Sequence, residues 1–203
     1  MVCPDTITYD WATATLTDAT TGTTTTLLAP TCSNSGAWVQ ASASVAASAG
    51  HNVTLALASH DDNYAGDPTY TLYDDVVVST GTAPPPPPGG GITNGTFETG
   101  TLSGWTGAGT TAAVSGNAHN GSFAAQTGGT SPTNGDSTIK QTVAFPTGSS
   151  KLSLYVKIVC PDTLTYDWPS GTTWSCSSAN RSQCRCGRSG YLRDPDRPQC
   201  IGG

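Results

Sequence analysis

Lys151-Leu-Ser-Leu-Tyr-Val-Lys-Ile158 places an apolar residue at every second position, with Leu152, Leu154, Val156 and Ile158 on one face. Period two is the period of a β-strand, whose successive side chains point to opposite faces. His51-Asn-Val-Thr-Leu-Ala-Leu-Ala58 alternates in the same way, aiming Val53, Leu55 and Leu57 at a core and Asn52 and Thr54 outward. Residues 12–29 read as a hairpin whose turn is Asp18-Ala-Thr-Thr-Gly22, because Gly supplies a positive-φ position and β-branched Thr suits a pleated surface. Trp38-Val-Gln, Thr69 to Val78 and Ser137 to Phe145 read as further strands, and no stretch makes a convincing helix. The fold class is all-β, an antiparallel β-sandwich.

Directly after Ile158 comes Val159-Cys-Pro-Asp-Thr-Leu-Thr-Tyr-Asp-Trp168, a second copy of Val2-Cys-Pro-Asp-Thr-Ile-Thr-Tyr-Asp-Trp11. The copies differ only at Ile7 and Leu164, yet the residues after Trp11 bear no likeness to those after Trp168. The repeat is therefore longer than either copy. The chain reads as the back half of one module (residues 1–79), a Pro/Gly linker (80–91) and the front half of the next (92–168). A fragment of this kind is not expected to carry a complete active site. Five consecutive prolines, Pro84 to Pro88, make the linker a short stiff spacer.

Residues 169–203 differ in kind. All five Arg (Arg181, Arg185, Arg188, Arg193 and Arg197) lie there, with Cys176, Cys184, Cys186 and Cys200. These Cys lack the paired Cys-x2-Cys spacing of a zinc site. The segment reads as out-of-frame or disordered sequence in place of the expected Ala-Thr-Ala-Thr-Leu continuation.

Composition narrows the function. Only 11% of residues are charged and the formal net charge is -6. Nucleic acid is excluded as a partner, since binding phosphate requires a basic surface. No stretch is long and apolar enough for a membrane span. A Thr-rich β-protein with sparse Cys points to export or the cell surface with a structural disulfide. No signal peptide is visible, and Met1 stands where Ile158 stands in the second copy, as an internal start codon would produce. Seven Cys is an odd number. Cys32 pairs with either Cys3 or Cys160, which occupy the same position of the repeat.

One segment gathers polar groups densely. His60-Asp61-Asp62-Asn63-Tyr64-Ala-Gly66-Asp67 reads as an acidic loop, followed by Tyr70. Three readings stay open for it: a solvated loop, a sugar-binding edge formed by Asp61, Asp62, Asn63, Tyr64, Asp67 and Tyr70, and a calcium site. Asp and Asn accept from sugar hydroxyls, Tyr stacks on a ring, and carboxylates suit a hard cation. Asp5 and Asp10 read as turn and strand-edge residues, and Trp38 and Trp105 as core. Catalytic readings fare badly. Glu98 is the only glutamate, no Gly-x-Ser-x-Gly occurs, and three scattered His suggest neither triad nor zinc motif.

Asn94-Gly-Thr-Phe-Glu98 followed by Leu102-Ser-Gly-Trp105 resembles the opening of bacterial carbohydrate-binding modules of the galactose-binding-like jelly-roll type. Gly121-Ser-Phe-Ala-Ala, Ala37-Trp-Val-Gln40 and Leu72-Tyr-Asp-Asp-Val76 resemble later strands of that family, in swapped order about the linker. The resemblance implies jelly-roll halves and a structural calcium held by Glu98 with Asp75 and Asp74. Those residues lie on opposite sides of the linker, so the two halves must meet. Residues 2–79 dock onto 92–168 as a circular permutation, or they exchange between chains and give a dimer. The expected function is non-catalytic binding of polysaccharide or cell-surface glycan for a secreted hydrolase or peptidase. The alternatives are a purely structural spacer repeat and a fragment of an extracellular protease.

Overall fold

Alternating sequence becomes strand throughout the computed structural model, which describes residues 9–80 and 91–161. The strands are β1 (Trp11–Asp18), β2 (Thr24–Thr31), β3 (Val39–Ser44), β4 (Asn52–Asp62), β5 (Tyr70–Thr80), β6 (Thr106–Ala108), β7 (Thr111–Ser115), β8 (Phe123–Gly128), β9 (Asn134–Ala144) and β10 (Ser149–Val159). They form two five-stranded antiparallel sheets, β2-β1-β4-β9-β6 and β3-β10-β5-β8-β7. The expectation of an all-β sandwich is met. The expected tail, the linker's prolines, Cys3 and the greater part of the second decamer lie outside the described residues.

Both sheets draw strands from each side of the linker. β9 pairs with β4 along the whole strand, from Asn52 opposite Ala144 to Asp62 opposite Asn134. β10 inserts between β3 and β5, pairing Leu154 with Ala41 on one side and Lys157 with Leu72 on the other. Thus β3 belongs to its sheet only through a strand of the other half. The core is shared in the same way. Leu16, Val53, Leu55, Leu57, Tyr73 and Val76 pack with Phe97, Ile139, Leu152, Leu154 and Val156, all nearly or fully buried. The faces read from the alternation in β4 and β10 are the faces that are buried.

Local chemistry sets the turns. Asp18 accepts from the backbone N–H groups of Thr20 and Thr21 through Oδ1, and Gly22 sits at φ 72° to close the β1–β2 hairpin. Pro30 is tolerated because β2 is an edge strand. Two sequence boundaries move. Thr80 belongs to β5, opposite Ser149, and not to the linker. His60, Asp61 and Asp62 belong to β4 and not to a loop, because β9 reaches Asn134 and gives all three a partner.

Cys32 and Cys160 form a disulfide across 128 residues, with Cα atoms 5.4 Å apart. This decides between the two partners the repeat offered and joins the two halves covalently. Tyr73 stitches the sheets together as well. Its buried hydroxyl donates toward the Ala58 carbonyl at 2.8 Å and the Thr13 carbonyl at 3.0 Å.

Candidate functional site

The end of the sandwich where β4 meets β9 collects the acids. Asp10, Asp61 and Asp62 each offer an oxygen within 4.8 Å of the others, and they are the group of this kind among the described residues. Asp10 and Asp61 are buried, while Asp62 is exposed. Asp10 precedes β1; its Oδ1 accepts from the Asp62 N–H and its Oδ2 from the Thr69 hydroxyl. Asp61 Oδ1 accepts from the Asn63 N–H, and Oδ2 accepts from the N–H groups of Thr69 and Thr133. One carboxylate thereby ties together both ends of the loop 63–69 and the segment leading into β9.

Burial pushes the Asp10 carboxyl above the ordinary carboxylate range; hydrogen bonds from Thr69 and the Asp62 N–H oppose that, and repulsion from Asp61 and Asp62 adds to it. Three carboxylates in this arrangement can take a hard cation or accept from hydroxyls. The ion pairs among the described residues all join a His to an Asp, so no Lys or Arg among them neutralises this group.

Rings flank the acids. Trp11 and His60 are cross-strand neighbours, stacked 7° from parallel with centroids 5.3 Å apart. His60 Nδ1 is 2.6 Å from Asp136 Oδ1 on β9. Beyond Asp62, which accepts from the Tyr64 N–H, the chain passes Asn63 at φ 70° and presents Tyr64 with 47% of its surface exposed. The Tyr64 ring lies over Gly66, where a Cβ would come within 2.8 Å of it. Of the residues expected to touch sugar, Asp62, Asn63 and Tyr64 are at the surface, whereas Asp61 and Asp67 are buried. Tyr70, half-buried, starts β5 in the other sheet. Trp11, His60, Asp10 and Asp136 escaped sequence reasoning, since only strand register brings them together. Asp10 sits at the edge of β1, as expected, and is a buried acid.

Glu98, Asp74 and Asp75 do meet across the linker, around the segment 117–123, but they do not converge as a carboxylate cluster. Glu98 accepts from the N–H groups of Ser122 and Phe123. Asp74, fully buried, accepts from the N–H groups of His119, Asn120 and Asp75. Asp75, at φ 48°, holds His119 Nδ1 at 2.7 Å, and that imidazole stacks on Tyr155 with centroids 3.5 Å apart. Their carboxylates serve as anchors for backbone amides, and because their oxygens do not converge this set does not fit a shared calcium. Trp38 meets the same imidazole edge-on and is partly exposed, whereas Trp105 is buried as expected.

Burial raises the Asp74 pKa from 3.8 to about 6, against the hydrogen bonds it accepts. The folded protein therefore keeps a proton that the unfolded chain has released, and stability falls as pH rises from about 4 to about 6. Asp18 has the opposite sign. Its bond to His51 at 2.8 Å lowers its pKa, so its contribution is present above the unfolded value of 3.8 and lost below it. Asp74→Asn is expected to flatten the decline between pH 4 and 6, measured by urea unfolding at several pH values. An unchanged slope would show that Asp74 carries no proton in the fold.

No family model, curated protein or solved structure matches this chain.

Proposed function

We propose that the protein binds a polysaccharide or cell-surface glycan, without catalysis, at the edge formed by Trp11, His60, Asp62, Asn63, Tyr64 and Asp136. The observation that carries this reading is a Trp11–His60 stack held against the exposed carboxylate of Asp136, with an exposed Tyr64 tied by its N–H to the exposed Asp62 two residues after His60. Aromatic faces stack on the apolar faces of sugar rings, and carboxylate and amide groups accept from hydroxyls. The surrounding negative charge favours a neutral or amino sugar over an acidic one. A disulfide between the halves accords with a secreted or surface protein, as an accessory module of a hydrolase or peptidase. Calcium, in this reading, is held by Asp10, Asp61 and Asp62, whose oxygens converge as those of Glu98, Asp75 and Asp74 do not.

A structural spacer repeat is the competing reading. It is favoured by Asp61, whose oxygens already hold three backbone N–H groups. Retention of the protein on cellulose, xylan, chitin and chitosan separates the two, measured with calcium and with EDTA. Tyr64→Ala is expected to weaken retention on the bound polymer roughly tenfold, the loss of one aromatic stack. A protein that none of these polymers retains would support the spacer, and a variant that binds unchanged would overturn the assignment of the edge at Tyr64.

A further inference from the structure

The two decamers contribute different residues to one sandwich. From the second copy, Val159 ends β10 opposite Tyr70, and Cys160 is bonded to Cys32. From the first copy, Asp10 binds Thr69 and the Asp62 N–H, and Trp11 opens β1 opposite His60. Position for position, Cys160 matches Cys3, while Asp10 and Trp11 match Asp167 and Trp168. One copy supplies the start of the decamer and the other supplies its end.

The two parts also touch. The Cys160 Sγ lies 3.9 Å from the Asp10 carbonyl oxygen. Within one uninterrupted decamer, the positions of Cys3 and Asp10 are seven residues apart. Seven residues span at most roughly 25 Å when fully extended, so an intervening loop closes on this contact without strain on its reach. The end of β10 and the start of β1 already sit where an unbroken decamer would join them.

We infer that the folding unit is a repeat whose unbroken order is residues 91–160 followed by 4–80, and that residues 9–80 form a surface that receives residues 91–161 of a second copy of this chain as well as its own. The surface is the set of sheet edges that β8, β9 and β10 fill: the free side of β4, the slot between β3 and β5, and the other side of β5. The acid site depends on the exchange partner too, because Thr133 and Asp136, which bind Asp61 and His60, belong to the incoming half. The covalent connection through residues 81–90 keeps a chain's own halves at an effective concentration on the order of millimolar. Closure within the chain therefore dominates when the protein is dilute, and pairing between copies competes once the chains reach that concentration.

The disulfide records which copy supplied β10. Full-length protein of natural isotopic composition is mixed with an equal amount of 15N-labelled protein, reduced and unfolded, then refolded with oxidation at about 10 μM and at about 1 mM. Cleavage before Asp releases residues 18–60 bonded to residues 136–161. Mixed-isotope species are expected to reach about a quarter of this product at the higher concentration, where about half of the closures are between copies and half of those join unlike isotopes, and to be scarce at the lower. Only same-isotope species at both concentrations would overturn exchange. A direct-order chain, residues 91–160 joined to 4–80, tests the unit independently of that refolding. It is expected to be a folded monomer with the same disulfide and a melting temperature at or above that of the full chain. An unfolded product, or a folded one in which Cys32 and Cys160 stay unpaired, would overturn the inference.

Discussion

Cys32→Ser lowers the stability of the sandwich by about 3–5 kcal/mol. The disulfide spans 128 residues and joins the last strand, from one half, to the segment after β2, from the other. In the chain-entropy account, a loop of that length in the unfolded chain is worth about 5 kcal/mol when cross-linked, and native relaxation returns part of it. Cys160 is 1% exposed and would keep a buried thiol against the Asp10 carbonyl. For a domain of this size the loss corresponds to a fall of about 10 °C or more in melting temperature. Thermal melts of the variant, and of the protein in reductant, should agree. A shift of a degree or two in both would show that the halves hold together without the bond.

Phe97→Ala is expected to cost about 3–5 kcal/mol, the usual range for truncating a buried Phe. Phe97 is fully buried and lies against Trp105 with ring centroids 5.5 Å apart. Trp105 in turn donates its Nε1–H to the Thr93 carbonyl at 3.1 Å. The backbone here is committed to this packing. Phe97 sits at φ 58° and Asn94 at φ 50°, both in the sparsely populated left-handed region. Gly95 passes so close to β5 that a Cβ would collide with the Val76 carbonyl oxygen, and its own carbonyl accepts from the Val76 N–H. Removing the ring takes away the packing that holds this turn, at the place where the front half presses on the back half. Urea unfolding should show the full loss together with a changed near-ultraviolet signal from Trp105. A loss under about 1 kcal/mol would mean that Phe97 is not packed as described.

Strand identity was legible wherever one face is buried, because burial imposes period two. Val53, Leu55 and Leu57, and Leu152 through Ile158, announce their faces for that reason. The turn at Asp18–Gly22 was legible because Asx capping and a positive φ demand those residue types. Strand order was not, since nothing local in Ser149–Val159 tells that it will separate β3 from β5. The same limit hid the three His–Asp pairs, which join residues 33, 76 and 44 positions apart. The motif Asn94 to Glu98 was recognisable, but its roles are mechanical in this fold: a close approach at Gly95, a buried ring at Phe97 and an amide anchor at Glu98. The acidic segment was visible as composition. Which acids are buried depends on β9 extending to Asn134 and on Asp10 arriving from the start of β1.

The most direct test of the interleaved sandwich is the disulfide map of the native, unreduced protein. Digestion before Asp separates Cys3 (residues 1–4), Cys32 (18–60) and Cys160 (136–161) into different fragments. The structure requires 18–60 linked to 136–161. Finding 18–60 linked to 1–4 would mean that the two halves fold apart, and the shared sheets, the shared core and the acid site built between them would fall together.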